Sequence, residues 1–291
     1  MVSNLSSQLQ PLNVGNVVSA GVSVLRSNFG TYLKLSAAAG LWWLVPVYGW
    51  ARALMIYGQI SRLSFQEVVH QPEPVSAAYQ KVQPHMWAFL GTAILVLLIF
   101  FGVSIAISFA TLPLNFLLSI IASFGDVGAA IFAIGYFLLQ IAVFMGQMWI
   151  QARFCLFNVI IAVETGKDAT ASISRSLELT SGSGLRVLLV LIVAYAVMAP
   201  IYTLIYIPFI FATPFLFAFL EETQDPVFAP TSVLGFLFLA ILLLTALFIM
   251  AKVVTEPLWR SIIGVLYHDL RVRREGLDIR IGNQIHDRYR P

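Results

Sequence analysis

Five long apolar blocks constrain this sequence more than any other feature. They cover residues 31–60, 87–112, 127–150, 185–207 and 232–251. A helix that crosses a bilayer needs about 20 predominantly apolar residues, and each block reaches or approaches that length. The third block continues as a second apolar stretch over residues 154–163. The fourth is followed by residues 208–220, interrupted by Pro208 and Pro214. The chain is 59% apolar and 11% charged, with a mean hydropathy of +0.87. A water-soluble fold of 291 residues could not hide that much apolar surface behind so few polar side chains. A soluble enzyme, a disordered chain and a nucleic-acid binder are therefore excluded as first readings. The expected class is an all-α polytopic membrane helix bundle.

Charge placement predicts the topology. The link after the second block holds one charge, Asp126. The link after the fourth holds Glu221, Glu222 and Asp225. Neither contains a Lys or Arg. All 17 basic residues lie in the other segments: near the N-terminus, in or beside the first block, in the 62–85 and 153–186 links, or from Lys252 onward. By the positive-inside rule those segments are cytoplasmic, both termini included, and the two acidic links face out. Residues 1–30 lack a charged region leading into an apolar one, so a cleaved signal peptide is not expected. The single cysteine, Cys155, allows no internal disulfide.

Topology poses a question at the first block. Arg26 before it and Arg62 after it should share a side, yet 30 residues are too few for two full spans. Pro46 lies near the middle, where it removes a hydrogen-bond donor and breaks a helix. Residues 31–60 therefore read as a short re-entrant hairpin turning at Pro46. The alternative is one long span, with the N-terminal segment outside.

Three segments share a plan, giving pseudo-repeats at about 11–70, 72–165 and 167–270 in one transmembrane domain, followed by a basic cytoplasmic tail over 271–291. Each has a leading amphipathic stretch (residues 14–29, 74–86 and 168–184), an apolar hairpin, an arginine near its inner end and a trailing stretch. The arginines are Arg52, Arg153 and Arg260. A straight helix over residues 127–163 would run about 55 Å, well beyond the bilayer, so its end must project inward. The leading stretches carry apolar residues at helical spacing, such as Val18, Val22 and Leu25. They are expected to form amphipathic helices on the cytoplasmic side that cover the projecting ends. Gly102, Ala106 and Ala110 recur every fourth residue, as do Ala129 and Ala133, and are expected to pack helix on helix within the chain.

Some stretches resemble a known family. Pro11-Leu12-Asn13-Val14-Gly15 leads to Arg26-Ser27-Asn28-Phe29-Gly30. Arg175-Ser176-Leu177-Glu178-Leu179-Thr180 lies in the middle. The chain then runs Leu266-Tyr267-His268-Asp269-Leu270-Arg271-Val272-Arg273-Arg274-Glu275-Gly276-Leu277-Asp278-Ile279. Together these resemble a bacterial family of uncharacterised multipass proteins related to the membrane domain of glycerophosphoryl diester phosphodiesterases. The Val45-Pro46-Val47-Tyr48-Gly49-Trp50 turn resembles cyanobacterial members. The resemblance implies six helical segments at membrane depth, in a prokaryotic inner membrane or a thylakoid. It does not imply phosphodiesterase activity, which belongs to a separate soluble barrel absent from this sequence.

No catalytic constellation stands out. His70, His85, His268 and His286 show no metal-ligand spacing, and neither a GxSxG elbow nor a P-loop occurs. No enzyme activity and no cofactor are expected. The candidate charges are Arg52, Arg153, Glu256 and Arg260, because charge near membrane depth is costly to keep without a purpose. Glu256 and Arg260 are spaced i, i+4 in the favourable order for a helix pair. Arg271, Arg273 and Arg274 are candidate contacts for anionic lipid headgroups. The implied partners are membrane lipids and other membrane proteins, not nucleic acid. The expected role is that of a non-enzymatic assembly, scaffold or membrane-organising factor. The alternative is a transporter or channel for a small or lipidic substrate, resting on Pro200, Pro208 and Pro214 as helix breakers around a cavity.

Overall fold

The structure is a computed structural model that describes residues 13–164, 166, 168–222 and 229–288. It is all-α, with no strand among the described residues. Among the described residues three helices come first: α1 (Val14–Ser27), α2 (Phe29–Trp42) and α3 (Tyr48–Val68). Then come α4 (Val75–Val82), α5 (Met86–Ala122), α6 (Gly125–Phe154), α7 (Phe157–Val163) and α8 (Ala169–Thr180). Two long helices close it, α9 (Gly184–Glu222) and α10 (Ala229–Arg288).

Local chemistry explains several boundaries. Asn13 caps α1 by accepting a hydrogen bond from the Asn16 amide at 2.9 Å. Asp168 caps α8 by accepting one from the Ala171 amide at 2.8 Å. Each satisfies one of the orphan donors in a first helical turn. These bonds to Asp168, with a further one from Thr170, hold its carboxyl below the usual range. Residues 31–60 are not one continuous helix. α2 stops at Trp42, α3 starts at Tyr48, and the two pack against each other. The link turns at Pro46, and Val47 takes φ 61°, a left-handed backbone that β-branched residues rarely adopt.

Two expected boundaries move. The second apolar block does not end at Leu112: α5 passes through Pro113 and continues to Ala122. α9 likewise runs without interruption from Gly184 to Glu222, so Pro200, Pro208 and Pro214 do not break it. Neighbouring groups and small local adjustments let long apolar helices carry an internal proline.

Among the described residues, four helical stretches are long and apolar enough to cross a membrane: Val75–Ala122, Gly125–Val163, Gly184–Ile207 and Phe238–Gly276. Their most apolar windows are only 0%, 6%, 28% and 11% buried within the chain. These shafts therefore present apolar side chains outward; Leu97, Phe101, Phe109 and Phe116 on α5 all stand exposed. Gly102, Ala106, Ala110, Ala129 and Ala133 are exposed as well, so they do not make the intramolecular contact expected of them. The close approach of α5 and α6 runs elsewhere, at Gly135, where a Cβ would meet Leu118 at 2.7 Å.

The core lies at the other end of the shafts, in a base built around α3 and the middle of α10. Every residue from Ala53 to Phe65 is buried, as is every residue from Arg260 to Tyr267. The two helices touch through small groups, with Ser64 Oγ 3.3 Å from Ser261 Oγ. α1 packs on α9 and α10, α8 on α5, α6 and α7, and α4 on α3. Two apolar clusters fill the base. One gathers Val17, Leu156, Ile160, Leu191, Ile262 and Leu266. The other gathers Tyr32, Met55, Ile60, Phe89 and Ile161. Each such side chain contributes about 1.5–3 kcal/mol when fully buried.

Candidate functional site

Most charged side chains among the described residues gather in the base, where three ion-pair networks and a triad hold many of them. Polar groups enter it because α3, α9 and α10 carry them among residues that pack on all sides. On α3, Gln59 donates to the Val75 carbonyl at 2.8 Å, and Arg62 donates to the Ala162 carbonyl at 2.7 Å. Arg62 also pairs with Glu73, which holds Lys81 at 2.9 Å on its other oxygen. Burial opposes ionisation of Glu73, but the hydrogen bonds from Arg62 and Lys81 outweigh it and hold the carboxyl below its ordinary value.

A second network ties the far ends of α7, α8 and α10. Arg175 reaches Glu164 at 3.2 Å, Glu178 at 3.1 Å and Glu275 at 2.9 Å, and Tyr267 donates to Glu164 at 2.8 Å. Burial works against the Arg175 charge, but Glu178 and Glu164 outweigh it and bind its proton more firmly. A third joins α9 to α10. There the buried Asp269 accepts from Arg186 at 3.0 Å and Arg273 at 3.1 Å. His268, its chain neighbour, lies 6.3 Å from the Phe65 ring instead.

The candidate charges fall into separate places. Arg52 sits beside the α2–α3 turn, 4.8 Å over the Trp42 ring and 3.3 Å from the Tyr48 hydroxyl. A groove of about 760 Å³ opens there, lined by Arg52, Trp42, Gln59, Tyr79, Gln80 and Gln83 among others. Arg153 caps the C-terminus of α8, donating to the Thr180 carbonyl at 2.8 Å and to Leu177 at 3.3 Å. Those carbonyls also accept from the Ser183 amide and the Thr180 hydroxyl, and a cation is favoured at the negative end of a helix. Arg271 and Arg273 each hold a carboxylate one turn away, Glu275 at 2.7 Å and Asp269 at 3.1 Å. Arg274 bonds the Glu178 carbonyl.

Glu256 and Arg260 do come together. Glu256 is buried and accepts from Lys252 at 2.7 Å and from Arg260 at 2.9 Å. The Arg260 guanidinium also stacks 5.2 Å from the Tyr57 ring, whose hydroxyl accepts from Trp43 Nε1 at 3.3 Å. A cavity of about 310 Å³ opens beside this triad. It is lined by Val96, Phe100, Gln151, Phe154, Cys155, Phe157, Trp259 and Arg260. Gln151 donates to the Tyr195 hydroxyl, which fixes its amide at the rim. Among the described residues no group of three His, Cys, Asp or Glu side chains is placed to hold a metal ion.

Sequence reasoning missed Arg62, Glu73, Glu164, Arg175, Arg186, Asp269 and Gln151. For the five in the links around residues 62–81 and 164–186 the signal was the local balance of acids and bases; Gln151 and Asp269 lie outside those links. No protein-family model matches the chain, and no curated protein and no solved structure does.

Proposed function

We propose that this is a non-enzymatic multipass membrane protein with an assembly or membrane-organising role. Its four apolar shafts span a prokaryotic inner or thylakoid membrane as two helical hairpins, and the α2–α3 pair enters and leaves by one face. The base and both termini lie on the cytoplasmic side, where the basic residues cluster. The observation that carries the role is the outward face of the shafts. Their apolar windows are 0–28% buried, leaving a broad surface for lipid and for helices of other membrane proteins. The charges that a catalytic reading would need support this role, because Arg153, Arg62 and Arg175 are committed to holding helix ends together.

Purification from native membranes in mild detergent tests the role. The expected result is a stoichiometric membrane-protein partner that is lost when Phe109 and Phe116 are both changed to Ala. A partner-free protein that drives solute flux in proteoliposomes would overturn it in favour of transport. The transport reading draws on one observation, the cavity that reaches Arg260 and Gln151.

A further inference from the structure

The triad Lys252–Glu256–Arg260 does not balance its charge. Glu256 is the only carboxylate ion-paired to either cation among the described residues, so the group carries a net positive charge. Arg260 is 8% exposed, and its only hydrogen bond runs from Nε to Glu256. Nη1 and Nη2 donate to nothing among the described residues, yet they are not sealed in, because Arg260 forms part of the cavity wall. Glu256 meets only Nε of this buried guanidinium in the cavity wall, so a second anion at its other two nitrogens would be favoured. The rest of the wall is of a different kind. Val96, Phe100, Phe154 and Trp259 give it apolar and aromatic surface, and Gln151 adds a polar group.

We infer that this cavity binds the head of an anionic amphiphile. Its phosphate or carboxylate lies on Arg260 and Gln151, and its first carbons lie on the aromatic wall. A volume of about 310 Å³ holds a headgroup and the beginning of a chain, at the low end of ordinary ligand sites, and leaves the rest of the chain outside. Planar bidentate donation from Nη1 and Nη2 matches the oxygens of either anion. The site is distinct from the half-buried arginines at the start of the tail, since Arg271 and Arg273 already hold carboxylates. This inference rests on the shafts lying in a bilayer, which membrane extraction tests separately.

Native mass spectrometry of the full-length protein, released from detergent with phosphatidylglycerol or phosphatidylcholine added, tests it. The expected result is one tightly retained phosphatidylglycerol and no retained phosphatidylcholine. Arg260→Gln is expected to weaken retention about tenfold or more, the loss of one charge-assisted contact. Val96→Trp fills the cavity without touching the triad. It is expected to abolish retention at an unchanged melting temperature, which keeps the test decisive if Arg260→Gln fails to fold. A third arm adds inorganic phosphate as competitor. Displacement of the lipid by millimolar phosphate would assign a free-anion site and overturn the amphiphile. Equal retention of both lipids, or full retention by Val96→Trp, would also overturn the inference. If the protein extracts with membranes yet retains no lipid, this inference alone fails.

Discussion

Residues 53–65 of α3 and residues 101–116 of α5 use their side chains in opposite ways. The α3 segment carries Gln59, Ser61, Arg62 and Ser64, and every one of its residues is buried. The α5 segment holds some of the most apolar residues of the chain, and Phe101, Phe109 and Phe116 stand open, Phe109 at 68% exposure. In water that distribution would be reversed. It is stable where lipid replaces water around the shafts, because apolar side chains then gain nothing by hiding from their surroundings. Helices meet instead where small groups allow close approach and polar groups find partners. Gly58 shows this: a Cβ there would lie 2.4 Å from the Phe89 ring, so only glycine lets α3 and α5 touch. At Gly102 on the shaft nothing lies within 4 Å.

The contrast breaks most readily at the triad. Glu256→Ala leaves the buried Arg260 and the half-buried Lys252 without a counter-charge and is expected to cost about 3–5 kcal/mol, read as thermal unfolding in detergent. Replacing Lys252, Glu256 and Arg260 together with Met, Leu and Met is expected to restore most of that stability, because no unpaired charge remains. A mild effect from the single change would mean that the base is wet rather than packed.

A paired truncation sharpens the comparison. Leu266 is fully buried in the base, and Leu266→Ala is expected to cost about 2–5 kcal/mol. Leu97 stands exposed on α5, and Leu97→Ala is expected to stay within about 0.5 kcal/mol. Equal losses at the two sites would erase the difference between shaft and base.

The smallest expected effect is the pH dependence at Glu73. Its folded carboxyl lies below the ordinary value of 4.5, so its contribution is complete above that value. The contribution is lost as pH falls through the depressed value, when the unfolded chain already binds the proton and the folded one must follow. Glu73→Gln is expected to flatten the stability profile below about pH 4.5 and to lower stability at neutral pH. A profile unchanged by the substitution would place Glu73 outside the network that holds α3 to α4.

Hydropathy made the shafts legible, since a run of apolar residues needs no knowledge of its neighbours. The turn at Pro46 and the i, i+4 pair Glu256–Arg260 are local too, and the sequence displays them. The base was not legible. α3 reads as amphipathic because Arg62 and Gln59 interrupt its apolar residues, and what buries them, the Ala162 and Val75 carbonyls, comes from other elements. Prolines misled in the same way. Pro200, Pro208 and Pro214 read as helix breakers by local chemistry, yet α9 passes through all three. The stripe Gly102, Ala106 and Ala110 has the spacing of a contact face, but spacing alone does not say which helix, if any, lies against it.

In the proposed topology the shafts cross the membrane with the base on the cytoplasmic side. Single cysteines at Glu222 and Arg274, each in a Cys155→Ala background, test this with a membrane-impermeant maleimide applied to intact cells. Labelling of Glu222→Cys from outside, with Arg274→Cys labelled only after the membrane is opened, is the predicted result. Labelling of both positions from the same face would contradict it.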